Sequence, residues 1–288
     1  MDTHVSDKEL SALLQLLEDP DEAVYEPVSK RILEYGREVI PHLEHTWETS
    51  EQTEQQARIE SIIRRIHFLD TSRQFDSWRG QSEPDLFEGL LILDQLHSRE
   101  DRADSIRQSL ELLRRNAWLE LNQYLTPLEQ VHVLSRVVFE HERFKGVDAA
   151  REQIQHLFPG DILLKKTGNQ LGLLVLIQVL AEKLDLPLYA LAIPGIFVLG
   201  SPNLIRSNTK TGIDSIDFYL DPQTGELFGR TEIEQFLRRT HQPIEDDYFQ
   251  PLTSLQLVNR WLGRVAEKAT EIEDHHLAMQ ATELLRQS

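Results

Sequence analysis

Along the first seventy positions, apolar residues recur at intervals of three and four. In "SDKELSALLQLLEDPDEAVYEPVSKRILEYGREVIPHLEHTWE", Leu10, Leu13, Leu14 and Leu17 fall on one face of a helix. Ser6 and Glu9 have the spacing of a capping box at its start. The Asp19-Pro20-Asp21 run reads as a turn that starts a second helix. Gly36 marks another turn, and the third helix is entered near Pro41, a good first-turn residue. A fourth helix is predicted over Gln52–Ile66. From Asp70 to Ser98 the pattern is mixed, and the segment "WRGQSEPDLFEGLLILDQLH" from Trp78 begins as a loop and becomes helical near Leu86. An amphipathic helix follows in "DRADSIRQSLELLRRNAWLELNQ", and another is entered through Thr126-Pro127.

The pattern then changes twice. "TGNQLGLLVLIQVLAEKLDLPL" is almost wholly apolar from Leu171 to Leu184, with a polar entrance at Thr167-Gly168-Asn169-Gln170. A helix apolar on every side is buried. After Pro187 the chain reads as strands, Leu188–Ile193 and Ile196–Gly200, broken at Pro194-Gly195. A third, Ile216–Leu220, ends at Asp221-Pro222, and the remainder is helical. The fold class this predicts is α+β: a mainly helical N-terminal part, then a small antiparallel sheet packed on a buried helix. The expected division is a helical cap or repeat over residues 1–69 and a second domain over 70–288.

Composition narrows the function classes. The 288 residues carry a formal net charge of −18, so a nucleic-acid backbone or an anionic membrane surface would repel the chain. No apolar run is long enough for a transmembrane helix, and Met1-Asp2-Thr3-His4 does not resemble a signal peptide. A cytoplasmic location is expected. There is no cysteine, which removes disulfides, thiolate metal sites and thiol nucleophiles together.

Several segments carry a resemblance. The N-terminal helix pairs, with their acidic Asp-Pro-Asp turn and a Gly followed by Ile-Pro-x-Leu, resemble HEAT-type repeats. Further on, Phe144-Lys145-Gly146, the Leu-rich helix after Gly168, the Leu184-Asp185-Leu186-Pro187 turn, Pro194-Gly195-Ile196-Phe197 and Asp221-Pro222-Gln223-Thr224-Gly225 follow one another in order. Together they resemble the transglutaminase-like (papain-like) fold, in particular its bacterial SirB-type branch, which has an F-box protein relative. The resemblance covers about Phe75 to Leu237. It implies a Cys at the start of the buried helix as nucleophile, its pKa lowered by the helix dipole, with a strand His as base and an Asp orienting that His. The matching positions in this sequence are Gln170, Ile196 and Asp221. Glutamine is no nucleophile and isoleucine cannot take a proton. Asp221 also stands where an Asp before Pro commonly ends a strand and starts a turn.

No other constellation replaces the triad. Thr167 and Ser201 lie near the ends of the relevant elements without a neighbouring His. His141 and His156 precede the buried helix. His132 and His141 are nine residues apart, and His275-His276 are adjacent on a helix; neither pair has ligand spacing. No cofactor and no metal is expected.

The expectation is therefore a non-catalytic protein that binds a protein or peptide partner, one with a basic patch given the acidic surface. Two alternatives stand beside it. One is a hydrolase or acyltransferase using a non-cysteine residue set in the same cleft. The other is a purely structural helical protein whose cleft is filled by Ile196 and Phe197. The Gly200–Gly212 loop is expected to be a lid or a disordered excursion, and the oligomeric state is left open.

Overall fold

The computed structural model describes residues 7–17, 19, 21–98, 102–203 and 211–286. Ser6 of the expected capping box and positions 204–210 of the loop lie outside these residues. The chain divides into two compact units, Met1–Ser77 and Trp78–Ser288.

The first unit contains α1 (Asp7–Leu16), α2 (Glu22–Glu34), α3 (Ile40–Thr49) and most of α4 (Thr53–Arg79). The leucine stripe works as the spacing predicts: Leu10 and Leu17 are buried against Val28, Ile32, Leu43, Ile59 and Ile62, with Leu13 and Leu14 at the margin. Asp21 caps α2, its carboxylate accepting the Ala23 N–H at 2.9 Å. Gly36 sits at φ +63° and opens the turn into α3, with Pro41 in the first turn of that helix. α4 runs thirteen residues beyond the predicted end at Ile66. Phe68, Phe75 and Trp78 continue its buried stripe, so no break falls at residue 69.

The second unit starts with α5 (Leu86–Asp94), α6 (Ala103–Glu120) and α7 (Pro127–Ser135), which passes into a π-helical turn at Arg136–His141. α7 has the expected Thr126 cap, completed by Glu129 into a capping box. Then come β1 (Lys145–Gly146), α8 (Pro159–Lys165), β2 (Thr167–Gly168) and α9 (Gln170–Lys183). The sheet follows as β3 (Tyr189–Ile193), β4 (Ile196–Pro202), β5 (Ile216–Leu220) and β6 (Leu227–Phe228), and the unit closes with α10 (Arg230–Arg239), α11 (Ser254–Glu271) and α12 (His275–Arg286).

β3 to β6 form one antiparallel sheet in chain order, as the three predicted strands require; β6 was not predicted. β1 and β2 form a separate parallel pair, Lys145 opposite Thr167 and Gly146 opposite Gly168. Two-residue strands paired across twenty intervening positions leave no local pattern to read.

α9 is the axis of this unit. Leu171 to Ala181 are buried without interruption. Inside it, Gln178 accepts the Ala190 N–H at 2.7 Å and donates to Glu182 at 2.8 Å. That bond fixes β3 on the helix and satisfies a polar side chain that burial would otherwise penalise. The helix ends through Asp185 at φ +54°, with the Leu186 N–H returning to the Ala181 carbonyl at 2.9 Å, the geometry of a Schellman cap. The other sheet face, carrying Leu191, Ile193, Val198 and Tyr219, packs on Ile233 and Leu237 of α10 and on Phe249.

Candidate functional site

The start of α9 is built by hydrogen bonds. Asn169 is the cap: its Oδ1 accepts the Gly172 N–H at 2.7 Å. Its Nδ2 donates to Glu152 Oε2 at 2.9 Å, and Glu152 Oε1 accepts from Arg264 of α11 at 2.6 Å. Arg264 also reaches Glu267 at 3.1 Å and Glu271 at 3.2 Å. The Glu152 side chain is only 6% exposed. A carboxylate that buried is tolerated because each oxygen has a donor. Gly172 permits the same close packing: a Cβ there would stand 2.6 Å from the His156 carbonyl oxygen.

One residue on, Gln170 turns its Oε1 toward β4 and accepts the Phe197 N–H at 3.3 Å. Its Nε2 has no protein partner among the described residues. Period-two alternation along β4 then separates the neighbours. Phe197 faces the α9 side, whereas Ile196 packs with Ile193, Val198 and Phe236 on the opposite face. The residue that meets Gln170 is thus Phe197 and not Ile196.

Asp221 is occupied by its own turn. Oδ1 accepts the Gln223 N–H at 2.8 Å and Oδ2 accepts the Thr224 hydroxyl at 3.1 Å, while the Gly225 N–H returns to the Asp221 carbonyl at 2.9 Å. This is the turn-forming use of Asp. The turn places Gln223 beside β1: the Gly146 N–H donates to the Gln223 carbonyl at 3.2 Å, and Gln223 Nε2 donates to the Val147 carbonyl at 3.1 Å. Both motif glycines have steric reasons. A Cβ on Gly146 would lie 2.6 Å from Gln223 Cβ, and one on Gly225 would lie 2.3 Å from Phe139 and 2.5 Å from Ser135 Oγ.

Between these walls lies a cleft of about 600 Å³. Gln170, Phe197 and Gln223 line it, together with Arg260, Gly263 and Arg264 of α11. Ile196 and Asp221 are not on its surface. Of the three positions that resemble the triad, the structure brings only Gln170 to the cleft. No Ser, Thr or His is among the described residues that line it.

The other candidates lie elsewhere. Thr167 is in β2, and Ser201 is fully buried in β4. His141 pairs with Glu120 at 2.9 Å. His156 is buried, and its Nδ1 accepts the Gln153 N–H at 2.9 Å; burial lowers its pKa, which keeps the ring neutral and able to accept. No grouping of His, Asp and Glu among the described residues is placed to hold a metal ion, and no described helix is long and apolar enough to cross a membrane.

Sequence reasoning did not find the α11 wall. Its residues at 260, 263, 264 and 267 share one helix face, but every amphipathic surface helix has a polar face.

Comparison with known proteins agrees with this architecture. The family model of the transglutaminase-like superfamily matches residues 104–263, more than half of the chain. No curated protein and no solved structure matches. With no cysteine anywhere in the sequence, the thiol nucleophile of that superfamily is absent. The chain belongs to the transglutaminase-like superfamily.

Proposed function

We propose that this protein is a non-catalytic transglutaminase-like module of the SirB-type branch, and that its cleft holds a segment of a protein or peptide partner. One observation carries the reading. At the head of α9, where the superfamily needs its nucleophile, Gln170 is tied to the β4 backbone, and the described cleft lining offers no hydroxyl or thiol nucleophile and no histidine base. The cleft remains open at about 600 Å³ instead of being closed by side chains, within the usual range of ligand pockets. The acidic surface favours a partner with a basic patch. The helices of the first unit, read as a HEAT-like pair, supply a second contact surface.

Two measurements test this. Purified protein is assayed for amine transfer to a glutamine-donor peptide and for peptide and ester hydrolysis, with no turnover expected. Activity that remains with the protein through purification and disappears in Asp221→Asn refutes the reading. Partner capture is expected to fail in Phe197→Asp at an unchanged melting temperature. A partner retained by that variant places binding outside the cleft.

A further inference from the structure

α11 gives the cleft a wall that the triad-bearing elements do not supply, and one position on it is anomalous. Gly263 lies in the interior of an eighteen-residue helix, where glycine is the poorest residue after proline. Gly146, Gly172 and Gly225 are each required by an atom less than 3 Å from a built Cβ, but a Cβ on Gly263 would meet nothing within 4 Å. No internal packing calls for a bare backbone here. Its consequence is open space in the cleft against the surface of α11.

Next to this gap stands a guanidinium. Arg264 is matched by Glu152, Glu267 and Glu271. Arg260, one turn before it, meets no carboxylate among the described residues, and its guanidinium lies 6.0 Å from the centroid of the Phe197 ring. The Phe197 N–H is held by Gln170 Oε1, which leaves the two N–H donors of Gln170 Nε2 for the cleft. Arg260 thus presents donors only, and Gln170 adds two donors beside the one lone pair left on its Oε1. Their complement is a group that accepts without donating, and a planar carboxylate matches the guanidinium fork. Asp148 and Glu267 also line the cleft, and the net charge of −18 opposes a strongly anionic ligand.

The geometry points to a peptide segment with a single carboxylate, otherwise neutral or basic, as the ligand: its carboxylate at Arg260 and Gln170, its main chain passing over Gly263. This rests on the reading of the cleft as a binding site.

The test uses the full chain and three pools of N-acetylated tripeptides with neutral side chains: free C-terminal acids, the matching amides, and amides with a central Glu. Binding is followed by calorimetry. The acid pool is expected to bind at least ten-fold tighter than the plain amides, and the Glu pool shows whether a side-chain carboxylate serves as well. Arg260→Gln is expected to lower affinity for the acids about 10- to 100-fold, the range of a charge-assisted hydrogen bond, with little effect on the plain amides. Gly263→Leu is expected to abolish binding of every pool, and Gly263→Ala to raise the melting temperature. A fall in melting temperature for Gly263→Ala overturns the proposal, because the glycine then has a structural reason. Equal binding of acids and amides, still lost in Gly263→Leu, overturns the carboxylate assignment and leaves the binding cleft standing. Acid binding that survives both Arg260→Gln and Gly263→Leu overturns the site, and no binding of any pool overturns it together with the peptide-binding reading.

Discussion

Gly225→Ala tests how the Asp221 turn is held. Gly225 has φ +75°, a backbone region that costs an L-residue with a Cβ about 1–2 kcal/mol. The new methyl would also stand 2.3 Å from Phe139 Cδ2 and 2.5 Å from Ser135 Oγ, so either the turn or those side chains must move. Overpacking of this kind costs about 1–3 kcal/mol. Ser135 donates to the Gly225 carbonyl at 2.6 Å; losing that bond accounts for about 1 kcal/mol, which Ser135→Ala measures alone. The sum is a destabilisation of about 3–6 kcal/mol. The assay is urea unfolding followed by tryptophan fluorescence, for which Trp261, fully buried in the same unit, is a reporter. A loss below about 1 kcal/mol refutes the reasoning, since it would mean that neither the left-handed turn nor the Phe139 contact constrains this position. The variant is also expected to displace Gln223 from the cleft wall, read as weakened binding by protein that is still folded.

Asp185→Gly is expected to stabilise the chain by about 1 kcal/mol in the same assay, because glycine holds the left-handed C-cap of α9 without the Cβ penalty. Leu174→Ala, at a site with no exposed surface in the middle of α9, is expected to cost about 3–5 kcal/mol and to lower the urea midpoint accordingly. Burial lowers the pKa of His156 and of His97. Their contribution to stability is therefore complete above the unfolded value of about 6.5 and is lost as pH falls from there through the lowered folded values. Melting temperatures measured between pH 5 and 7.5 should rise with pH, and His156→Asn should flatten the profile; a profile unchanged in that variant would contradict the neutral, accepting His156.

The leucine spacing at 10, 13, 14 and 17, the Thr126-Pro127 entry and the almost wholly apolar run after Gln170 each state a local requirement, and each was legible because one face or all faces of a helix must leave water. The order of the motifs around Gly146, α9 and Asp221 was enough to indicate the superfamily, and the lack of cysteine enough to remove its nucleophile. Where the signal was local but ambiguous, the reading stopped short. α4 passes the predicted end at Ile66 because Phe68, Phe75 and Trp78 keep one face buried, while the polar residues between them gave only a mixed pattern.

The cleft itself needed the folded chain. Ile196 and Phe197 are neighbours in sequence, and which one meets Gln170 depends on the register of β4 against β3, because strand pairing sends adjacent side chains to opposite faces. Arg260, Gly263 and Arg264 are ordinary surface positions of an amphipathic helix until α11 lies against the start of α9. The sequence by itself determined most of the longer elements and the superfamily, since periodicity and motif order are properties of neighbouring residues. Only the tertiary structure decided the walls of the cleft, because contacts such as Glu152 with Arg264, 112 residues apart, arise from packing and leave no periodic trace in the chain.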